Sequence, residues 1–444
     1  MELPVEFKKR MTEMLGTDSE AFFDAFSSDE VETAVRINPK KPIPDGLKEI
    51  LASKEKVEWC ELGYYINKDN LSGNHPYHLG GLVYFQEPSA MAVVSALDIS
   101  EDDYILDLCA APGGKATHAA GYLGDDGILV ANEIVKKRSM ILADNIERMG
   151  IKNAVVTNES PKTLEKHFPE FFSKIIVDAP CSGEGMFRKE PRAIEEWSIA
   201  HTEACAERQK LILDSAISML APGGELIYST CTFAPAENEG VLEYILDKYP
   251  DMSLLPINLA GLTPADAKYI GSDKDYSNAK RIFPHLSRGE GHFLALFKKE
   301  GTFIKPSKRQ TKKPIPEESL YRDFEKKYLN VRLSGNFELF GENLYLVPEI
   351  IPTDKLKLER AGLFLGKCKK GRFEPSHALS LALGVDDFKN TYEPEDIAKY
   401  LKGETYLADI DGWCAVVYDK IPLGWAKGSQ GVLKNHFPKF LRIF

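Results

Sequence analysis

Hydrophobic residues in the first 85 positions fall into two spacings. Val5 to Leu15 and Ser19 to Phe26 repeat at helical period, whereas Ala34 to Asn38 and Gly63 to Ile66 are short and extended. Together they predict a small α+β domain over residues 1–85. Ser72 to Gly81, with its Gly, Asn, Pro and His, reads as a loop. Glu87-Pro88-Ser89 then opens a helix through Leu97, because proline at a first helical position gives up an amide that has no partner there.

From Tyr104 the pattern changes to short apolar runs alternating with longer helical ones, the signature of a parallel α/β sheet. Strands are expected at Tyr104 to Leu108, Ile128 to Ala131, Ala154 to Thr157, Lys174 to Val177, Glu225 to Tyr228 and Phe293 to Phe297. Between them come helices at Lys115 to Tyr122, Val135 to Met149, Ala204 to Leu220 and Glu237 to Tyr249, with Pro222-Gly223-Gly224 as a turn. This α/β unit, residues 86–299, closes near Lys299. Residues 300–316 hold three prolines and a basic run and read as a linker. A second α+β region over 317–390 has helices at Leu320 to Tyr328 and Ser376 to Leu383, with extended Leu344 to Val347 and Phe364 to Gly366. The last compact piece, 391–444, carries Trp413 to Tyr418, a turn at Lys420 to Gly424 and a basic tail.

Composition narrows the class. A chain of 444 residues with 43% hydrophobic and 10% aromatic content can bury large cores. No apolar run reaches the roughly 18 to 20 residues needed to span a bilayer, and Met1 to Glu30 is charged, so a cytoplasmic protein without a membrane partner is expected. Seven cysteines without any Cys-x-x-Cys suggest reduced thiols, and neither a disulfide framework nor a metal site. The net charge of -11 argues against a protein coated for indiscriminate nucleic-acid binding. Two local patches run the other way: Lys305 to Lys313 has five basic residues and no acid, and Gly424 to Phe444 carries Lys427, Lys434, Lys439 and Arg442.

The chemistry concentrates in three loops. Cys109-Ala110-Ala111-Pro112-Gly113-Gly114-Lys115 follows the first strand, and its small residues let a ligand reach the amides at a helix N-terminus. It is neither a dinucleotide fingerprint nor a P-loop, which weakens NAD and ATP. Glu133 ends the second strand, where a carboxylate can hold the two hydroxyls of a ribose. Asp178-Ala179-Pro180-Cys181-Ser182-Gly183 and Ser229-Thr230-Cys231-Thr232 each follow an apolar segment, so two thiols stand on strand-end loops of one sheet.

Beside an S-adenosylmethionine site, two such thiols suit attack on a pyrimidine. Carbon 5 of cytosine is too electron-poor to take a methyl group until a nucleophile has added to carbon 6, and thiolate is strongly nucleophilic. A carboxyl such as Asp178 can support protonation at ring nitrogen 3. One thiol adds and the other assists release; the residues alone leave open which does which. Amino-methyltransferases carry an aromatic where Cys181 stands, which disfavours an exocyclic nitrogen as target. Singly, each cysteine also reads as a small buried hydrophobe.

The motifs at 107–115, 178–183 and 229–232, in this order and spacing, resemble those of the Sun/Nop family of RNA cytosine-5 methyltransferases. Glu184-Gly185-Met186-Phe187-Arg188-Lys189, Gly371 to His377 and Pro422-Leu423-Gly424-Trp425 are similar to the bacterial RsmF-like branch, which methylates small-subunit ribosomal RNA. The resemblance implies a Rossmann-like methyltransferase sheet flanked by small α+β RNA-binding domains, PUA-like at the C-terminal end. It also implies S-adenosylmethionine as cofactor and RNA, as small-subunit rRNA or an assembling subunit, as partner. By the same resemblance Cys231 is the nucleophile and Cys181 the releasing thiol. Cys109 to Lys115, Glu133, Arg138 and Asp178 fall to the cofactor, with Asp178 also facing the base. Where the family carries an acid near the adenine, this chain reads Asn158-Glu159-Ser160, with Ser160 the ungapped match. Rival readings are a tRNA cytosine-5 methyltransferase and a non-catalytic ribosome-assembly factor; intact thiols and cofactor loop speak against the latter.

Overall fold

A computed structural model describes residues 2–27, 32–67, 71–306, 314–352 and 355–443. Most of the basic run, from residue 307 to 313, lies outside the described residues. Its first lysine, Lys305, ion-pairs with Asp102 at 3.4 Å and lies 4.9 Å from the centre of the Tyr104 ring.

Among the described residues, ten strands form the central sheet: β1 (Tyr104–Asp107), β2 (Ile128–Asn132), β3 (Ala154–Thr157), β4 (Phe172–Asp178), β5 (Leu220–Thr230), β6 (Met252–Leu255), β7 (Thr263–Pro264), β8 (Lys280–Ile282), β9 (His292–Lys299) and β10 (Leu358–Ala361). Their order is 7-8-9-5-4-1-2-3-10, with β6 also on β9. Strands β1 to β5 pair in parallel, and β9 runs antiparallel to β5. The parallel strands are buried on both faces, which is why they read as continuous apolar runs. The chain runs outward from β1 through β2 and β3, then returns to β4 on the other side of β1. This reversal opens a crevice at the carboxyl ends of β1 and β4, the usual ligand position in such sheets.

The helices expected near the N-terminus form at Val5–Leu15 and Ser19–Ser27. Their phenylalanines do not close a core of their own. Phe7, Phe22 and Phe26 pack with Phe187, Trp197, Phe233 and Phe283 of the central unit. The rest of this region is a four-stranded antiparallel sheet of Ala34–Ile37, Lys56–Val57, Cys60–Tyr65 and Val83–Phe85. Within the expected loop 72–81 lies one helical turn, Pro76–Leu79, started by Pro76 and by His75, whose ring nitrogen accepts the Tyr77 amide at 3.2 Å.

Several boundaries shift for identifiable reasons. The long helix is Ile199–Met219 because Ser198 caps it, accepting the His201 amide at 3.0 Å. Pro222-Gly223-Gly224 does not end the strand but is carried inside β5, where the register against β4 slips. The C-terminal hairpin turns at Asp419 and Lys420, both at positive φ, so Ile421 to Gly424 belong to the strand Ile421–Ser429.

The C-terminal region is also knitted in more tightly than its sequence suggests. Strand β10 leaves the 317–390 segment and pairs with β3, Arg360 opposite Val156, while Ile350 and Ile351 enter the core of the central sheet. Two further sheets follow, one of four strands within 336–375 and one of five strands within 391–435. They share a core in which Trp425 packs with Phe324 and Phe388 and donates from Nε1 to the Ser376 carbonyl at 2.7 Å. No helix among the described residues is long and apolar enough to cross a membrane.

Candidate active site

Three strand ends meet in the crevice. Strand register places Asp107 opposite Ile176, and Asp178 opposite Ser229, so the loops after β1, β4 and β5 leave the sheet side by side. The loop after β1 turns at Gly113, whose φ of +115° suits glycine, and helix Gly114–Tyr122 follows. Lys115, in its first turn, reaches across to Asp178, with Nζ 2.7 Å from Oδ2.

Asp178 is the electrostatic centre. Ser229 Oγ donates to its Oδ1 at 2.8 Å, and His292 Nε2 stands 3.7 Å from the same oxygen. Burial pushes this carboxyl up, but the charges of Lys115 and His292 and the hydrogen bond from Lys115 outweigh it and hold the group well below the usual carboxylate range. Asp178 is therefore a fixed anion at neutral pH.

The two thiols are brought together. Cys181 Sγ and Cys231 Sγ lie 3.2 Å apart, both reduced and both partly exposed. The hydrogen bond to Cys231, then burial, pushes the Cys181 thiol up.

Around the thiols the two loops are clamped to each other. Ser182 Oγ and Thr232 Oγ1 are 2.8 Å apart, and Gly185 N donates to the Cys231 carbonyl at 2.8 Å. A side chain at Gly185 would place Cβ 2.8 Å from that carbonyl oxygen, so only glycine lets the loops approach. Glu184, fully buried, accepts from Arg10 at 2.7 Å on each oxygen, from Trp197 Nε1 at 2.7 Å and from the Phe233 amide at 3.0 Å. Beneath Cys181, Glu237 Oε2 accepts the Ser182 amide at 3.0 Å and Gln209 Nε2 at 2.7 Å.

The remaining residues expected at the site line the crevice's other half. Glu133 is buried; one oxygen accepts the Val135 amide at 2.8 Å and the other lies 3.3 Å from Arg138, which in turn donates to the Ala111 carbonyl at 2.9 Å. Arg138 thus ties Glu133 to the loop of Cys109 to Lys115. Cys109 has its thiol pushed up by burial. Ser160 caps the turn Pro161–Leu164 by accepting the Thr163 amide at 3.2 Å. Glu159 Oε1 accepts the Lys357 amide at 2.9 Å, and Asn158 Nδ2 donates to the carbonyls of Glu133 and Ile134. All three therefore brace the crevice wall.

Asp107 is an acid whose two oxygens are left unsatisfied. It is fully buried, neither oxygen makes a hydrogen bond among the described residues, and burial pushes it up to about 8 against the opposing charge of Lys115. An orphaned acid beside a small-residue loop and a strand-end carboxylate fits a nucleoside carrying positive charge, which would draw Asp107 back to its anion; S-adenosylmethionine is such a nucleoside. Sequence reasoning gave no role to Asp107, Arg10, Glu184, Glu237 or His292. Only Asp107 and Glu184 were signalled, by lying inside the quoted motifs. Among the described residues no cluster of His, Cys, Asp and Glu could hold a metal ion.

Comparison with known proteins agrees with this geometry. The model of the family "16S rRNA methyltransferase RsmB/F" matches residues 94–298. RsmF models of the N-terminal, first C-terminal and PUA domains match 3–88, 323–383 and 389–443. Ribosomal RNA small subunit methyltransferase F of Shewanella piezotolerans is 32% identical, over 94% of this chain and 93% of its own. Its counterpart in Aeromonas hydrophila is 34% identical over 87% and 85%. Among solved structures, a methyltransferase homologue from Pyrococcus horikoshii is 28% identical with a TM-score of 0.59, covering 66% of this chain and 94% of its own. Pyrococcus horikoshii NSun6, solved with SFG, shares the fold at a TM-score of 0.59 and 22% identity over 67% of this chain and 99% of its own. With four domain matches in order along a chain whose paired cysteines and 109–115 loop meet at neighbouring strand ends, this protein belongs to the RsmB/F family of 16S rRNA methyltransferases, on its RsmF side.

Proposed function

We propose that this chain methylates carbon 5 of a cytosine in 16S rRNA, with Cys231 as nucleophile and Cys181 as the thiol that assists release. The observation that carries this reading is the 3.2 Å approach of two reduced thiols beside the Asp178 carboxylate. S-adenosylmethionine, held by Cys109 to Lys115, Glu133 and Arg138, supplies an electrophilic methyl group on a sulfonium.

The chain's own residues divide the rest. Cys231 Sγ bonds to carbon 6, and the π pair of the ring's 5,6 double bond shifts to carbon 5. Nitrogen 3 takes a proton, and the Asp178 carboxylate balances the ring's charge. Once carbon 5 carries the methyl group, its proton passes to a water molecule, and that electron pair rebuilds the double bond as the Cys231 thiolate departs. Cys181, 3.2 Å from Cys231 Sγ, donates its S–H to the Cys231 thiolate at both ends of the cycle. A cytosine within a helix is out of reach, so the target is unpaired or flipped. Bisulfite sequencing of 16S rRNA from a deletion strain, with and without the restored gene, tests the reading. One cytosine should lose protection on deletion and regain it; protection lost only in tRNA would favour the tRNA rival.

A further inference from the structure

His292 begins β9 with its side chain 6% exposed, and it points into the site from behind Asp178. Its Nδ1 lies 2.9 Å from the Gly291 carbonyl, which can only accept, so Nδ1 carries a proton in either charge state. That leaves Nε2 as the titrating atom. It makes no hydrogen bond among the described residues and faces Asp178 Oδ1 at 3.7 Å. Such contacts tighten when substrate seats.

A buried imidazole in this position answers a need that the proposed reaction creates. Nitrogen 3 must gain a proton when Cys231 adds and lose it when Cys231 leaves. Asp178, held as an anion, has no proton of its own to give. Lys115 keeps Oδ2 and Ser229 shares Oδ1, and both hold the carboxylate in place.

We propose that His292 is the proton store behind Asp178, a positioning residue that acts through that carboxylate. On addition, the proton of the His292 imidazolium passes from Nε2 to Asp178 Oδ1 and from that oxygen on to nitrogen 3, leaving neutral imidazole and the carboxylate as it began. On elimination the same proton returns by the reverse route, so each turnover restores the imidazolium. The groups that set its charge come from several elements. Asp178 faces it from β4, and Glu87, before helix Pro88–Ser95, interacts with it electrostatically. Lys115 pairs with Asp178, Lys189 acts on Glu87, and Glu290 is paired with Arg188 and Lys189.

The inference rests on the cytosine-5 reading, and single-turnover methyl transfer from labelled S-adenosylmethionine separates the two. The substrate is unmodified 16S rRNA, as transcript or as small subunits lacking the mark. Wild type should form 5-methylcytosine with a rate that falls on the alkaline side. His292→Phe should lower the rate by about 100-fold and remove that alkaline fall, while equilibrium dialysis finds cofactor affinity within about twofold of wild type. His292→Gln, which keeps a donor but does not titrate, should regain part of the rate without regaining the pH dependence. Wild-type rate and pH profile in both variants would overturn the role of His292, as would loss of cofactor binding in step with rate. Wild type that makes no 5-methylcytosine on either substrate would overturn the underlying reading and this one with it.

Discussion

Arg10 and Glu184 lie 174 residues apart in sequence, yet one guanidinium nitrogen sits 2.7 Å from each carboxylate oxygen. The contact joins the first helix of the chain to the loop that carries Cys181. Through the Phe233 amide the same carboxylate also holds the loop that carries Cys231. The N-terminal region is therefore part of the frame of the active site as well as an expected RNA-binding surface.

Arg10→Met should consequently act on both stability and turnover. It leaves the Glu184 carboxylate buried with only Trp197 Nε1 and one amide, and stranding one member of a buried pair costs on the order of 3 kcal/mol. A lowered urea midpoint together with a fall in kcat larger than any change in KM is the expected result. A fall in stability with kcat intact would show that Glu184 holds the fold without holding the thiols.

The cysteine pair makes opposite predictions for its two members. Cys231→Ala should abolish methyl transfer, because it removes the sulfur that the proposed mechanism bonds to carbon 6. Cys181→Ala should still add to the ring but release poorly, leaving a protein–RNA adduct that survives denaturation on gels. Full activity in Cys231→Ala would sink the assignment.

Glu237 gives a pH signature in stability. Burial, opposed by the Ser182 hydrogen bond, pushes its carboxyl from 4.5 up to about 7. Between those values the folded state holds a proton that the unfolded chain has released, so the group subtracts stability as pH rises through this window. Glu237→Gln should make the fall of the urea midpoint between about pH 4.5 and 7 shallower, leaving the share due to Asp107, which burial raises from 3.8 to about 8. The same slope as wild type would show that another group titrates there.

Truncation tests how the C-terminal region is joined. A chain ending at residue 316 loses β10, leaves the edge of β3 unpaired, and removes Arg360 from its ion pair with Glu147 at 3.1 Å. It should be less soluble and melt lower than the full chain, since an open apolar edge invites association. A fragment as stable as the full chain by scanning calorimetry would make the pairing incidental.

Much of this molecule was legible in its sequence. The alternation of short apolar runs with helical ones determined the parallel sheet, because strands buried on both faces leave no polar positions. The motifs at 107–115, 178–183 and 229–232 located the crevice, because strand-end loops of a parallel sheet converge wherever the chain reverses direction. Tertiary structure decided what local pattern does not encode. The 3.2 Å approach of Cys181 and Cys231 joins thiols 50 residues apart. That the first helices close against Phe187 and Phe233, and that β10 completes the sheet of another segment, depends on apolar faces whose partners lie far along the chain. His292 and Arg10 carry no sequence signal for the same reason: a lone charged or titratable side chain acquires a role only from the buried groups that folding places beside it.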